Sequence, residues 1–175
     1  MDVVLVSPEI ATNTGNIIRL CANTGARLHL VEPLGFSMDD RLLKRAGLDY
    51  HDLASVTVHA DVAACLARLG PARRFAFTAA AADRYDRMAF APDDVFIFGA
   101  ERSGLTADQF DALGPVRRLH LPMRPGNRSL NLANAVAVVV FEAWRQLDFA
   151  GAVTPVDRLG SGLTSETLTS GPFDH

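Results

Sequence analysis

Residues 121–146 read LPMRPGNRSLNLANAVAVVVFEAWRQ, a polar loop that runs directly into an apolar segment. No Gly or Pro follows Leu130 until Gly151, and good helix formers frame the segment, so its length favours a helix over a strand despite the valines. Apolar side chains cover every side of this helix between Ala135 and Phe141. A helix that is apolar all round is buried either in a large core or partly against a second subunit.

The start of this helix carries polar side chains. Ser129 or Asn131 can accept a hydrogen bond from the free amides of the first turn, which is a capping role. Asn134 lies three residues after Asn131, on the same face. A polar amide one turn inside a buried helix costs free energy unless something bonds to it, so the pattern predicts a partner for Asn134.

The composition indicates one domain. The chain has 175 residues, of which 49% are hydrophobic, enough for a sizeable core. It begins with an apolar strand pattern rather than a basic leader, and no apolar run reaches membrane-spanning length. We expect a single domain over residues 1–153, and a loosely ordered tail over residues 154–175, which are rich in Gly, Ser and Thr.

The cysteines and histidines give no sign of a metal or disulfide framework. Cys21 and Cys65 lie inside helical patterns, and their spacing matches neither a metal site nor a disulfide framework. This predicts reduced core thiols in a cytosolic protein. The histidines do not cluster in sequence as metal ligands, so no metal is expected. They are His29, His51, His59, His120 and His175.

Apolar strand patterns alternate with helical ones along the chain. Six short strands are predicted at residues 3–6, 28–31, 56–58, 74–78, 94–98 and 119–121. Helices are predicted from Asn13 to a stop at Gly25, from Asp39-Asp40 to Lys44-Arg45, over residues 61–69, from a cap at Thr106 to Leu113, and over the apolar segment. This order implies an α/β fold with a mainly parallel six-stranded sheet flanked by helices. In such sheets ligands bind at the carboxyl ends of the strands.

Three of the loops that follow strands carry candidate site residues. In the first, Asn16, Arg19 and Asn23 share one helical face, and Arg19 is suited to hold a phosphate with two hydrogen bonds. In the second, FGAERSGL at residues 98–105, two glycines bracket Glu101 and allow a ligand to approach the backbone closely. The third is the loop that precedes the apolar helix.

The charge pattern and the missing motifs narrow the classes of function. A net charge of −3 argues mildly against non-specific nucleic-acid binding. Arginines and a lysine can still form a local basic patch, although solvated surface is the alternative interpretation. These residues are Arg41, Lys44, Arg45, Arg117, Arg118, Arg124 and Arg128. The glycine fingerprints of dinucleotide and P-loop sites, and a nucleophile elbow, are missing from the sequence.

Taken together, the three loops resemble the three motifs of the SPOUT-superfamily RNA 2′-O-ribose methyltransferases. The matching segments are NTGNIIR at residues 13–19, FGAERSGL at residues 98–105 and RSLNLANA at residues 128–135. More narrowly, PEI at residues 8–10, RAGLDY at residues 45–50 and FEAWRQ at residues 141–146 are similar to the minimal members that act on the wobble cytidine or uridine of tRNA. The resemblance extends from about residue 2 to residue 153.

The resemblance implies a homodimer formed through the helix from Leu130 to Leu147 and the first helix. It also implies a deep trefoil knot near the C-terminus that holds S-adenosylmethionine, with no metal. The implied cofactor-binding residues are Phe77, Thr78, Gly99, Ala100, Glu101, Leu121, Met123, Ser129, Leu130 and Asn134. The implied catalytic residues are Arg19, Asn13 and Glu101, and the implied RNA-binding residues are Arg19, Asn16, Arg41, Arg45, Arg124 and Arg128. The family's tyrosine in the interface helix is Phe141 here.

Several alternatives remain open at this point. Related enzymes methylate other tRNA positions or ribosomal RNA. A non-catalytic RNA-binding protein of the same fold is a second possibility, which the intact motif residues disfavour. An ordinary doubly wound nucleotide- or flavin-binding protein is a third, which only the α/β alternation supports.

Overall fold

A computed structural model of the chain describes residues 1–38 and 56–153. The helix predicted from Asp39-Asp40, the candidate RNA contacts Arg41 and Arg45, and the predicted tail over residues 154–175 all lie outside the described residues.

Strands and helices alternate along the described chain. Their order is β1 (Asp2–Val6), α1 (Ala11–Thr24), β2 (Arg27–Val31), β3 (Val56–His59), α2 (Val62–Leu69), β4 (Arg74–Phe77), β5 (Asp83–Arg84), a 3₁₀ turn (Tyr85–Arg87), β6 (Val95–Phe98), α3 (Ala107–Leu113), β7 (Arg117–His120) and α4 (Leu132–Gln146).

The strands form one sheet in the order β3-β2-β1-β6-β4-β7-β5, and every pairing in it is parallel. The predicted α/β class with a parallel sheet flanked by helices is therefore confirmed. The predicted count of six strands is wrong, because the described residues contain seven. The strand that the sequence did not reveal, β5, pairs with β7 through only Asp83 and Arg84. Two residues are too few to show an alternating pattern.

The two faces of the sheet carry separate apolar layers. Val3, Leu5 and Phe96 face the side covered by α1 and α4, where Ile17 and Val136 are also fully buried. The adjacent residues of the same strands, including Val4, Val6 and Ile97, face α2 and α3. Because side chains alternate across a strand and both faces are covered, β1 is buried along its whole length.

Local signals account for most helix ends. Thr106 and Gln109 form a capping box at the start of α3, as the sequence predicts for Thr106. Helix α1 ends at Gly25, whose φ of 71° is the left-handed conformation that glycine adopts easily. It begins at Ala11, two residues before the predicted start, and its cap residue Ile10 offers no side-chain hydrogen bond. The backbone N–H groups of Glu9 and Ile10, just before α1, instead bond to another part of the chain.

Helix α4 is capped by Asn131, whose side chain accepts hydrogen bonds from the amides of Ala133 and Asn134. Of the two predicted caps, the structure selects Asn131 over Ser129. The face that packs on α1 and the sheet is buried, with Val136, Val139, Val140 and Ala143 each at most 1% exposed.

The opposite face of α4 is exposed, including Val138 at 39% and Phe141 at 47%. Of the two alternatives that the sequence left open, burial all round within the core of one chain is therefore excluded, and Asn134, expected inside a buried helix, is exposed. The physical reason is that the sheet and α1 cover only one side of this helix, and no other described element covers the opposite side.

Both cysteines are free and buried, as the sequence predicts. Burial raises the pKa of the Cys21 thiol to about 12. None of the helices among the described residues is long and apolar enough to cross a lipid bilayer.

Candidate active site

The carboxylate of Glu101, in the loop after β6, holds the start of α1. Its Oε2 accepts a hydrogen bond from the backbone N–H of Glu9 at 2.7 Å, and its Oε1 accepts one from that of Ile10 at 3.2 Å. In return, the Glu9 carboxylate accepts a hydrogen bond from the backbone N–H of Arg102 at 3.1 Å. The N–H groups that Glu101 binds belong to the two residues just before α1, and a carboxylate at the amino end of a helix also interacts favourably with the partial positive charge there.

Asn13 and Asn131 extend this contact to a third segment. The side-chain amide of Asn13 donates to Glu101 Oε1 at 3.0 Å, and its Oδ1 accepts from the amide of Asn131 at 2.9 Å. Asn13 is only 7% exposed, so these bonds satisfy a buried polar group. The Asn131-Asn13-Glu101 relay joins the start of α4, the first turn of α1 and the loop after β6.

A cavity of about 260 Å³ opens beside this relay, at the carboxyl ends of β4, β6 and β7. This is the edge of the sheet where the sequence predicts a ligand. All predicted cofactor-binding residues line it except Asn134, whose place on the exposed face of α4 lies outside the lining. Those that line it are Phe77, Thr78, Gly99, Ala100, Glu101, Leu121, Met123, Ser129 and Leu130.

Further lining residues were not among the predicted cofactor-binding residues, although four of them lie in the candidate loop at residues 98–105. They are Ala79, Phe98, Arg102, Ser103, Gly104, Leu132 and Ala135. Most are immediate neighbours of predicted residues, and they belong to the same loops. Leu132 and Ala135 lie three apart on α4, so helical periodicity was a signal that could have found them.

Gly99 shapes one wall of the cavity. A Cβ at this position would lie 2.1 Å from the backbone carbon of Gly104 and 2.3 Å from the nitrogen of Leu105. The loop folds back on itself there, with the N–H of Gly104 donating to the carbonyl of Ala100 at 2.9 Å. Only glycine permits this close approach of two backbone segments.

The lining is largely neutral and partly aromatic. The rings of Phe77 and Phe98 stack with centroids 4.7 Å apart and an angle of 10° between their planes. The charged lining residues are Glu101 and Arg102, and the Glu101 carboxylate is already engaged by α1. Such a cavity suits a ligand that has an aromatic part and is held by backbone hydrogen bonds, rather than a polyphosphate.

A second cavity of about 230 Å³ adjoins the first. The two share Glu101, Ser129, Leu130 and Leu132 in their linings. Asn13 and Arg128 line only the second. Two ligands bound in these cavities would meet next to Glu101 and Ser129.

The outer face of α1 carries the predicted polar residues. Asn16, Arg19 and Asn23 are exposed, while Ile17 and Cys21 on the other side are buried, so the predicted division of this helix is confirmed. Arg124 and Arg128 are also exposed, on the loop between β7 and α4.

The chain is similar to known proteins over most of its length. The model of a family described as the SpoU rRNA Methylase family matches residues 1–141. A tRNA (cytidine(34)-2′-O)-methyltransferase from Burkholderia pseudomallei is 60% identical over 152 residues, which are 86% of this chain and 97% of the relative. A protein of the same name from Escherichia coli K12 is 51% identical over 153 residues, 87% of this chain and 98% of the relative.

A solved structure supports the same grouping. It is described as giving structural insights into the 2-OH methylation of C/U34 on tRNA, and it superposes with a TM-score of 0.77 at 42% identity. The match covers 84% of this chain and 95% of the solved one.

Proposed function

Because the chain belongs to the SpoU rRNA Methylase family, we propose that it transfers a methyl group from S-adenosylmethionine to the ribose 2′-hydroxyl of cytidine or uridine 34 in tRNA. The observation that carries the reaction is the meeting of two cavities at Glu101 and Ser129, where a methyl donor and a ribose can lie side by side. Much of the rate of a methyl transfer comes from such positioning.

The choice of tRNA rests on the relatives. The family description names ribosomal RNA, whereas the relatives at 51% and 60% identity are named for position 34 of tRNA. We give more weight to the relatives, because the match spans 97% or more of their length. A tRNA substrate also favours a cytoplasmic enzyme, and the aligned length supports a single methyltransferase domain over residues 1–153.

The first cavity fits the expected cofactor. When bound, S-adenosylmethionine supplies an electrophilic methyl group attached to a sulfonium centre. The stacked Phe77 and Phe98 offer an apolar surface for an adenine ring, and the tight loop at Gly99 lets a ligand reach backbone groups. The cavity is close to the lower end of the range for small-molecule sites, about 300 Å³, and it is open to solvent on one side. The predicted cofactor-binding residues keep that role here as a proposal, Asn134 included.

The chain's own polar residues would then position the RNA. We assign Arg19 to a phosphate of the substrate, because it is exposed on α1 and a guanidinium binds phosphate with two hydrogen bonds. Arg124, Arg128 and Asn16 are proposed as further RNA contacts. Asn13 and Glu101 hold the catalytic loops in register, and Asn13 lines the cavity proposed for the ribose.

A homodimer through α1 and α4 is part of the proposal. The exposed apolar side chains of α4 support it, because Val138 and Phe141 stand side by side on a face that no other described element covers. A deep trefoil knot near the C-terminus is proposed from the family. The sheet order supports it, since β4 lies between β6 and β7 and the loops after these three strands surround one cavity.

The proposed function is tested by supplying labelled S-adenosylmethionine and bulk tRNA to the purified protein, digesting the RNA with nuclease and identifying the product nucleoside by mass. We expect 2′-O-methylcytidine or 2′-O-methyluridine from the anticodon loop. Methylation of ribosomal RNA but not of tRNA would refute the substrate assignment. Cofactor binding without transfer to any RNA would refute the enzymatic assignment.

A further inference from the structure

A group of buried polar side chains lies between the sheet and α2, and none of its members lines either cavity. His29 in β2 is 5% exposed, His59 at the end of β3 is 7% exposed, and Cys65 in α2 is 1% exposed. The proposed methyl transfer uses none of them.

These three side chains present their donor atoms to one another. The Nδ1 atom of His29 lies 2.9 Å from Nε2 of His59, and these two atoms and the Cys65 sulfur all lie within 4.8 Å of one another. Around a tetrahedral zinc ion, with bonds of about 2.0–2.3 Å, ligand atoms are separated by roughly 3.3–3.7 Å. Side-chain movements of about an ångström would therefore place all three atoms on one ion.

A fourth residue completes the arrangement expected around a metal-bound histidine. The other ring nitrogen of His29, Nε2, lies 3.1 Å from Asp2 Oδ1. Asp2 is itself bound by Arg27 through two hydrogen bonds of 2.6 and 2.7 Å. A carboxylate held in this way on the far nitrogen orients the His29 ring, so that Nδ1, which pairs with Nε2 of His59 in this structure, is the nitrogen that would face a bound ion.

We propose that His29, His59 and Cys65 form a zinc-binding site, with Asp2 as the outer carboxylate and a water molecule as the fourth ligand. One thiolate and two imidazoles are the ligand types that zinc takes, whereas magnesium and calcium prefer oxygen. The ion would join β2, β3 and α2 and so stabilise this side of the sheet.

Ligand binding at this site involves the loss of one proton. A cysteine thiol is protonated at neutral pH, whereas the thiolate is the form that binds zinc. Zinc displaces the Cys65 proton, forming one zinc–sulfur bond and releasing one proton to solvent.

The experiment uses the full chain without a histidine tag, stripped of metal by chelation and titrated with Co²⁺ as a coloured substitute for Zn²⁺. We expect a thiolate-to-cobalt charge-transfer band in the near ultraviolet that saturates at one ion per chain and disappears when Zn²⁺ is added. In weak buffer, Zn²⁺ should release one proton per chain, a readout that needs no variant. No charge-transfer band in the wild type, or no proton release, would overturn the proposal.

Variants locate the site. Cys65→Ser should abolish the band, and Asp2→Asn should weaken the affinity by about 10–100-fold. Cys21→Ser is the matched control, because Cys21 is equally buried but lies in α1 among apolar residues. A band that survives Cys65→Ser, or that is lost in Cys21→Ser when circular dichroism shows a folded chain, would refute the assignment.

Discussion

Asn131 and Asn13 stand 118 positions apart in the chain, and the side-chain amide of one donates to the side-chain oxygen of the other at 2.9 Å. The Oδ1 atom of the same Asn131 accepts hydrogen bonds from the backbone N–H groups of Ala133 and Asn134 in the first turn of α4. Helix α4 therefore starts where its cap can also bond to α1. Asn13 also donates to Glu101, so side-chain hydrogen bonds join the starts of α1 and α4 to the loop after β6.

This double role predicts different effects for two substitutions of Asn131. Asn131→Ala removes the cap and should lower the free energy of unfolding by about 1 kcal/mol. Asn131→Asp keeps the capping oxygen but loses the donor to Asn13, so it should reduce methyl transfer with a smaller loss of stability. Urea denaturation and methyl transfer to tRNA separate the two effects. Unchanged methyl transfer in Asn131→Asp would contradict the relay.

The hydrogen bonds of Glu101 predict that its substitution lowers stability more than the same substitution at Glu9. In Glu101→Gln, an amide NH₂ replaces one acceptor oxygen and faces other N–H donors, so we expect a loss of about 1–3 kcal/mol in unfolding free energy. Glu9→Gln is the control, since the amide oxygen can keep the bond that Glu9 accepts from the N–H of Arg102. Thermal unfolding of both variants measures the difference. Similar behaviour of the two would show that the Glu101 contacts at α1 matter little.

Gly99→Ala should weaken cofactor binding by about tenfold or more. Its Cβ would overlap backbone atoms of Gly104 and Leu105, which cannot rotate away as a side chain can. Relieving this overlap requires the cavity wall to move, at a cost of about 1–3 kcal/mol. Calorimetric titration with S-adenosylhomocysteine measures the affinity. Gly70→Ala is the control, because its φ of 68° brings strain but its Cβ meets nothing within 4 Å. Unchanged affinity in Gly99→Ala would exclude this loop from the cofactor site.

Arg19→Ala should lower the rate of methyl transfer by about 10²-fold, because a misplaced ribose no longer meets the methyl group in line. Cofactor affinity should stay unchanged, since Arg19 does not line the first cavity. Activity assays and calorimetry on the same preparation test both statements. Arg68→Ala removes an exposed arginine from α2 and serves as the control. Parallel losses of activity and cofactor affinity in Arg19→Ala would rule out the RNA-positioning role.

Phe141→Asp should convert the proposed dimer to a monomer, since it places a charge in the middle of the exposed apolar face of α4. Sedimentation velocity gives the mass directly. Val58→Asp provides the comparison, because Val58 is 43% exposed on β3, away from that face. A wild-type chain that sediments as a monomer at micromolar concentration would refute the dimer.

Features that depend on a few neighbouring residues were predicted correctly. Thr106 caps α3 within one helical turn, and the apolar runs at residues 3–6 and 28–31 have the pattern of buried strands. The strand β5 was missed because two residues carry no period. Asn134 was expected to be buried but is exposed. The side of α4 that faces α1 is set by packing and not by the helix sequence.

The sequence by itself determined the α/β alternation, the cap of α3 at Thr106 and the loops that line the cavity, because each depends on residues that are neighbours along the chain. Only the tertiary structure decided which groups donate hydrogen bonds to the Glu101 carboxylate and that His29, His59 and Cys65 lie close together. These partners are distant in sequence and are brought together by the order β3-β2-β1-β6-β4 in the sheet. Strand order results from packing across the whole domain, and no local pattern encodes it.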